Sequence, residues 1–333
     1  MKVIIFSAHD YEKPYFTELN SHNNHEIFFV YNNLNLESAI MAKGFDCVCA
    51  FVNDKLDAEV LVKLKELGIK LIALRSAGFN HVNLNAAFEL NLPIVRVPAY
   101  SPHAIAEHGV ALLLTLNRKI HKAYNRSREF NFSLEGLVGF DLYNKTVGIV
   151  GTGKIGLEMA KIMHGFGCHV LAYDKYPNTS LNFMQFVSLE EIYKKCDIIS
   201  LHIPLTNDTH HLINDSAFSC MKKNAIIINT SRGGIIDTKA LIEALKANTI
   251  KGAALDVYEE EENYFFSDFS GKGIDDDNLA RLLTFPNVIV TGHQGFLTAE
   301  AIHNIVETTL NNISDFENKL PLINEVKIKK NNH

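Results

Sequence analysis

The chain has no hydrophobic run long enough to cross a bilayer; its longest candidate, residues 105–116, is interrupted by Glu107 and His108. It has no excess of positive charge. Lys plus Arg number 32 against 38 Asp plus Glu, a formal net charge of −6, so neither nucleic acid nor an anionic membrane is expected as a partner. Cysteines are few: Cys47, Cys49, Cys168, Cys196 and Cys220 show no metal-ligand spacing, and no metal is expected. The opening MKVIIFSAHD is too short in its apolar part for a signal peptide and reads as a first strand. Reduced thiols in a cytoplasm are then the simplest reading. Solenoid repeats and low-complexity linkers are missing too. What is present is an ordinary globular composition, 47% hydrophobic and 21% charged. Its 333 residues are too many for one core, so two domains are expected.

The most informative stretch is GTGKIG, residues 151–156. The apolar run TVGIV leads into it and a helical pattern, residues 155–167, leads out. Strand, glycine turn and helix together form the setting in which a dinucleotide fingerprint has meaning. Gly151 permits the tight turn, Gly153 lets backbone N–H groups approach a pyrophosphate, and Gly156 allows close packing of helix on sheet. The helix N-terminus offers free N–H groups and a positive dipole end to the phosphates. A second apolar run, HVLAY, ends at Asp174, near the usual spacing for an acid that binds the ribose hydroxyls. A carboxylate there repels a 2′-phosphate, which favours NAD over NADP; Lys175 weakens that preference slightly.

Residues 1–100 alternate short β-rich runs (3–6, 26–30, 47–52, 71–74 and 94–97) with helical patterns such as 57–67. That rhythm predicts a parallel sheet covered on both faces, a second α/β domain beside the fingerprint half. Ser101 and Pro102 read as the start of a helix running towards Arg118. Residues 119–145, with Arg126, Arg128 and several aromatics, read as an arm or interface segment. Strands are expected at 146–150, 169–173, 197–201, 225–229, 252–257 and 288–291, six in a doubly wound sheet. A final helix, 298–316 with Thr298 as its cap, most simply returns to the first domain and makes it discontinuous. KIKKNNH, residues 327–333, reads as a solvated tail.

This fold puts ligands at the C-terminal ends of its strands, and polar residues gather there. His202, Ile203 and Pro204 follow the third strand, and Thr230 to Gly234 the fourth. Asp256 to Glu262 follow the fifth, and Gly292, His293 and Gln294 the sixth. An oxidoreductase built on a nicotinamide needs a substrate anchor, a proton donor and something to hold that donor. Arg232, in a turn beside two glycines, suits a carboxylate gripped by two hydrogen bonds. His293 suits proton transfer, because imidazole titrates near neutrality and a neighbouring carboxylate favours its charged form. That carboxylate is sought in the run Glu259 to Glu262, among which periodicity does not choose. His210 and His211 have no further ligands nearby in sequence and read as loop residues.

With those residues in place the chain resembles the D-isomer-specific 2-hydroxyacid dehydrogenase family, and within it the branch that interconverts pyruvate and D-lactate. The resemblance runs from ALRSAGFNHV through RVPAYSPHAIAEH, LHIPLT, NTSRGG and LDVYEEEENYFF to TGHQGFLTAEA. It implies a Rossmann-type doubly wound sheet plus a flavodoxin-like α/β domain. The substrate domain would be residues 1–100 and 299–333, and the NAD-binding domain 101–298 with 101–145 as a dimerisation segment. It implies a catalytic Arg232, Glu261 and His293, with Glu261 hydrogen-bonded to His293. NAD contacts would come from Gly151, Gly153, Lys154, Ile155, Gly156, Asp174, Ile203, Pro204, Thr209, Thr230, Ser231, Arg232 and Asp256. Substrate contacts would come from Ser76, Ala77, Gly78, Tyr100, Arg232 and His293, with Phe51 and Phe296 as apolar walls suited to a methyl-sized substituent. Phe51 departs from relatives that carry tyrosine there. A cleft that closes, a homodimer or homotetramer, and D stereospecificity are implied by the resemblance alone. Rival readings are an enzyme of the same architecture acting on a bulkier 2-oxo acid, glyoxylate or hydroxypyruvate, and a nucleotide-sensing corepressor.

Overall fold

The computed structural model describes residues 1–327; the reading of 327–333 as a solvated tail falls, past Lys327, outside the described residues. The chain forms two compact units, Met1–Ser101 with Leu297–His333, and Pro102–Phe296.

The first unit holds five parallel strands: β1 (Lys2–Ile5), β2 (Glu26–Phe29), β3 (Cys47–Ala50), β4 (Leu71–Leu74) and β5 (Ile94–Val95). Their order, β2-β1-β3-β4-β5, is the flavodoxin-like one. The central strands are apolar at every position because both faces are covered. Ile4, Val48, Ala50, Ile72 and Leu74 face Val60, Leu61 and Leu64 of the helix Ala58–Glu66. The alternate residues, Val3, Ile5, Cys47, Cys49, Leu71 and Ala73, meet Ile302, Val306, Leu310 and Ile313 of the helix Ala299–Glu317. Thr298 caps that helix by accepting the Ala301 N–H. Strands β2, β3 and β5 stop short of the expected 30, 52 and 97. Past Ala50 the chain turns as the Phe51 N–H donates to Asp54 Oδ2 at 2.7 Å. Past Val95 the Val97 N–H reaches Ser76 O at 3.1 Å.

Arg75, fully buried, closes the end of β4. Its Nε donates to Glu12 Oε2 at 3.1 Å, and its Nη2 to the carbonyls of Phe6 and Ser7, each at 3.1 Å. Burial is the largest influence and opposes the charge, but Glu12, Cys49 and Asp54 together outweigh it and hold the guanidinium protonated. Glu12→Gln would strand a buried cation. The expected result is a loss of about 3–5 kcal/mol of unfolding free energy, read from urea denaturation of the variant against the parent.

The second unit holds seven parallel strands: β6 (Thr146–Val150), β7 (His169–Tyr173), β8 (Gln185–Phe186), β9 (Ile198–Leu201), β10 (Ile226–Asn229), β11 (Gly252–Leu255) and β12 (Val288–Val290). The order is β12-β11-β10-β9-β6-β7-β8, a Rossmann-type arrangement with one strand beyond the expected six. The addition is β8, whose two residues pair with Leu171 and Ala172; so short a strand leaves no periodicity to read. The expected strand 252–257 ends at Leu255; the Asp256 N–H still bonds Asn229 O of β10, but its carbonyl and carboxylate hold the loop after β12. The helix Pro102–Arg118 buries Ala106, Val110, Leu113 and Leu116 in the same cluster as Ile149, Met159, Ile226 and Ile228. Its apolar face is therefore spent largely inside this unit. The next helix, Ile120–Arg128, buries no residue. Among the described residues no helix is long and apolar enough to cross a membrane.

Candidate active site

The turn between β6 and the helix Lys154–Gly165 requires its glycines. Gly151 has φ +94°, and a Cβ there would sit 2.5 Å from His202 O. A Cβ on Gly156 would lie 1.9 Å from Gly151 O, so the helix approaches the turn more closely than any side chain allows. Gly153, by contrast, faces open space, with nothing within 4 Å of a Cβ built there. It precedes the helix, and no side chain caps it. Exposed Lys154 and half-buried Ile155 thus stand at an uncapped N-terminus, with N–H groups and dipole free for an anion.

Asp174 follows β7 and points back to this turn. Its Oδ2 accepts from Thr152 N at 2.7 Å and Thr152 Oγ1 at 2.9 Å, and its Oδ1 from Tyr176 N at 2.8 Å. Partial burial alone would raise its pKa; these hydrogen bonds outweigh that and hold the carboxyl below its ordinary value. The Asp174 carboxylate therefore keeps its charge. Lys175 Nζ lies 3.8 Å from Asp208 Oδ2.

Two further strand ends, those of β9 and β10, face the same edge. After β9, the Ile203 side chain abuts Gly151, Cγ2 lying 2.7 Å from the Cβ a larger residue would place there. Thr209 Oγ1 donates to Pro204 O at 2.6 Å and folds that loop. His202 Nε2 lies 2.8 Å from Ser200 Oγ, and burial pushes its pKa down to about 4. It is neutral at physiological pH and a poor source of protons. After β10, Asn229 organises the turn: its Oδ1 accepts from Ser231 N and Oγ, and its Nδ2 donates to Arg232 O. Buried Thr230 keeps a hydroxyl with no hydrogen-bond partner, a vacancy that buried polar groups normally fill. An anion cradle, a charged acid past the second strand and an unsatisfied hydroxyl suit a dinucleotide.

A paired histidine and carboxylate lie past the ends of β11 and β12. His293 Nδ1 is 2.8 Å from Glu261 Oε1, and Glu261 Oε2 accepts from Tyr258 N at 2.9 Å. Both side chains are largely shielded, at 17% and 18% exposure. His293 has φ +54°, an uncommon backbone for a residue with a side chain, and Asp256 is what imposes it. The Asp256 carbonyl accepts His293 N at 2.8 Å, while its carboxylate accepts Gln294 N at 2.9 Å and Gly295 N at 2.7 Å. Thr291 Oγ1 and His108 Nε2 also reach this carboxylate, at 2.5 and 3.1 Å. Burial works against its charge, but those donors hold its pKa below the ordinary value. Asp256, read from sequence as a nucleotide contact, thus directs its carboxylate at the loop of His293.

Arg232 sits one strand away. Its Nη1 donates to Ser231 O at 2.6 Å. A Cβ on Gly233 would lie 2.0 Å from the Tyr258 carbonyl carbon, so the Arg232 turn rests directly on the segment that carries Glu261. Strands β10, β11 and β12 are neighbours and parallel. Two strand spacings, about 10 Å, therefore separate the ends that carry Arg232 and His293. The side chain of Phe296 is half-buried just beyond His293.

The remaining expected substrate residues lie in the first unit, at the C-terminal edge of its own sheet. Ser76, Ala77 and Gly78 follow β4: Ser76 Oγ donates to Gly78 O at 2.7 Å, and Arg96 Nη1 to Ala77 O at 2.6 Å. Phe51 follows β3 with the Arg75 guanidinium 5.3 Å from its ring centre. Tyr100 follows β5, its carbonyl accepting from Asn304 Nδ2 at 2.6 Å.

Residues 110–295 match the family model described as D-isomer specific 2-hydroxyacid dehydrogenase, NAD binding domain. The chain belongs to the D-isomer-specific 2-hydroxyacid dehydrogenase family. It is 49% identical over 319 residues to a D-lactate dehydrogenase of Escherichia coli strain K12, covering 95% of this chain and 97% of that one. The apo-structure of D-lactate dehydrogenase from Escherichia coli superposes with a TM-score of 0.90 at 46% identity, over 98% of this chain and 100% of that one. A structure described as the pyruvate reductase of Chlamydomonas reinhardtii gives 0.91 at 43% identity, over 97% and 98%. The protein is accordingly an NAD-dependent 2-hydroxyacid dehydrogenase of Rossmann-type fold.

For a 2-hydroxyacid dehydrogenase the supporting residues matter as much as the reacting ones, and sequence reading passed over several. Asn229 and Thr291 are polar residues at or just past the end of apolar strands, a visible signal that went unused. His108 and Tyr258 carried none, because each acts on a partner distant in sequence or through its backbone. The glutamate run resolves cleanly: Glu261 faces His293 and Glu259 faces His211, while Glu260 and Glu262 are exposed.

Proposed function

We propose that this enzyme reduces pyruvate to D-lactate with NADH, and runs the reverse reaction. The observation that carries the reading is the 2.8 Å contact between His293 Nδ1 and Glu261 Oε1, on the sheet edge that also carries Arg232. NADH, with its pyrophosphate held at the glycine turn, would supply the hydride that C2 of the substrate receives. Glu261 fixes the His293 ring through Nδ1, which leaves Nε2 to give its proton to the carbonyl oxygen. Arg232 binds the carboxylate by paired charge-assisted hydrogen bonds and so orients the 2-oxo group. Ser76, Ala77, Gly78, Tyr100, Phe51 and Phe296 are proposed substrate contacts, and the apolar bulk of the two phenylalanines suits a methyl group. The first unit is read as the substrate domain and the second as the NAD-binding domain. Similarity to proteins described as D-lactate dehydrogenase and pyruvate reductase supports pyruvate over bulkier acids. A bare nucleotide sensor would need neither the His293–Glu261 pair nor Arg232. Five unpaired cysteines, four of them buried, suit a reducing cytoplasm.

The deciding assay is NADH oxidation with pyruvate beside larger 2-oxo acids, glyoxylate and hydroxypyruvate, followed by chiral analysis of the product. The highest kcat/KM with pyruvate, and D-lactate as product, are expected. A larger acid or hydroxypyruvate turned over better, or L-lactate formed, would overturn the assignment. Tight NADH binding with no turnover of any 2-oxo acid would favour the sensor.

The second unit also offers a surface for a second copy of the chain. Phe130, Leu134 and Val138 are 87%, 80% and 84% exposed, close together in sequence on the segment that follows the helix Ile120–Arg128. Apolar exposure on this scale marks an interface. The parent protein is expected to have the light-scattering mass of a homodimer or a homotetramer. Leu134→Asp should shift it towards a single chain; a monomeric parent would refute this role for the segment.

A further inference from the structure

The loops after β9 and β11 bring together three groups that the dehydrogenase chemistry does not use. His210 and His211 stack with ring centres 3.9 Å apart, and His211 Nε2 lies 2.5 Å from Glu259 Oε1. One donor atom from each of His210, His211 and Glu259 lies within 4.8 Å of the others. We propose that these residues form a binding site for a divalent transition metal of the zinc type, separate from the His293–Glu261 pair.

The donor set selects the metal class. Two imidazoles and one carboxylate suit zinc, nickel or copper, whereas magnesium and calcium call for all-oxygen cages. Ligands at about 2.0–2.2 Å from a tetrahedral metal place their donor atoms roughly 3.3–3.6 Å apart. The His211–Glu259 contact, at 2.5 Å, is tighter than this, and all three donor atoms lie within 4.8 Å of one another. Metal entry requires that contact to open and the exposed His210 ring to leave its stack on His211. Two of the three ligands are already held. His211 has φ +50°, and its N–H donates to Gly234 O at 2.9 Å, fixing its backbone. Glu259 Oε2 accepts from Thr238 Oγ1 at 2.9 Å, which aims Oε1 at the cluster. Behind His211, Asp237 Oδ2 lies 3.8 Å from Nδ1; Asp237 itself is fixed, because its Oδ1 caps the helix Thr238–Lys246. At 3.8 Å the Asp237 carboxylate is outside hydrogen-bond reach of the ring and favours a bound cation only through its charge. The entering metal takes the place of the proton shared by His211 and Glu259, which leaves to solvent. Water completes the coordination.

A metal here would tie the loop of residues 205–213 to the segment on which Glu261 rests. It belongs to neither the nucleotide nor the substrate, so it can be tested without turnover. Untagged protein stripped with EDTA is titrated with zinc chloride in a calorimeter, alongside His210→Ala, Glu259→Gln and His293→Gln. One zinc per chain is expected, with affinity roughly tenfold or more weaker in the first two variants and unchanged in His293→Gln. Cobalt(II) in the parent should give the visible absorption of a tetrahedral site, and His210→Ala should lose it while keeping its far-ultraviolet circular dichroism. Parent-like zinc binding by His210→Ala, loss confined to His293→Gln, or no saturable binding by the parent would each overturn the site.

Discussion

Replacing His293 with Gln is expected to lower kcat for pyruvate reduction by about 10²- to 10⁴-fold, the usual contribution of a positioned acid. NADH affinity, followed by its fluorescence, should stay at the parent value. The separation is sharp because the loop is held independently of the imidazole. Asp256 accepts the backbone N–H groups of His293, Gln294 and Gly295, and glutamine keeps all three bonds. Glutamine can still donate a hydrogen bond, but it cannot transfer a proton at accessible cost. Near-parent turnover would therefore refute the acid–base role itself. His202 is no substitute, since burial keeps its ring neutral down to about pH 4.

Arg232→Gln should damage both binding and chemistry. Removing one partner of a desolvated, charge-assisted pair costs about 2–5 kcal/mol. That corresponds to roughly 30-fold to several thousand-fold in kcat/KM. KM for pyruvate should rise because the carboxylate loses its anchor, and kcat should fall because the 2-oxo group is no longer held against the proton donor. Asn229 grips the backbone of this turn through Ser231 N and Arg232 O, so the loop itself should survive the substitution. Steady-state kinetics would settle the point: an unchanged KM would move the anchor elsewhere in the protein.

The sheets were legible because their strands are short, apolar and regularly interrupted. CVCA and LIAL, IIIN and GAAL are wholly buried central strands, and such strands announce themselves. The two-residue β8 did not, and strand ends were overrun wherever a loop residue was as apolar as the strand. Phe51, Val52 and Val257 are examples: what ends each strand is a polar group beyond it, Asp54 in one case and Asp256 in the other. Candidate site residues could be found because the fold sends them to strand ends. Periodicity does not choose among the four glutamates; the family resemblance points to Glu261, and the structure sets that residue against His293. Turn geometry, not spacing, puts Glu261 against His293 and Glu259 against His211. The same limit hid the metal-type cluster: its two histidines are adjacent, but Glu259 lies 48 positions further on.

The division of the chain bears on how it is made. One face of the first sheet, with Val3, Ile5, Cys47, Cys49, Leu71 and Ala73, is covered by Ile302, Val306, Leu310 and Ile313. On the ribosome that face stays bare while the whole of residues 102–296 is being synthesised. The intervening unit has all its strands before then and can fold first. The opening hundred residues must wait, with an oily sheet surface uncovered, for a helix translated after that unit. A nascent chain stalled before residue 299 should for that reason engage chaperones through its oldest segment, not its newest.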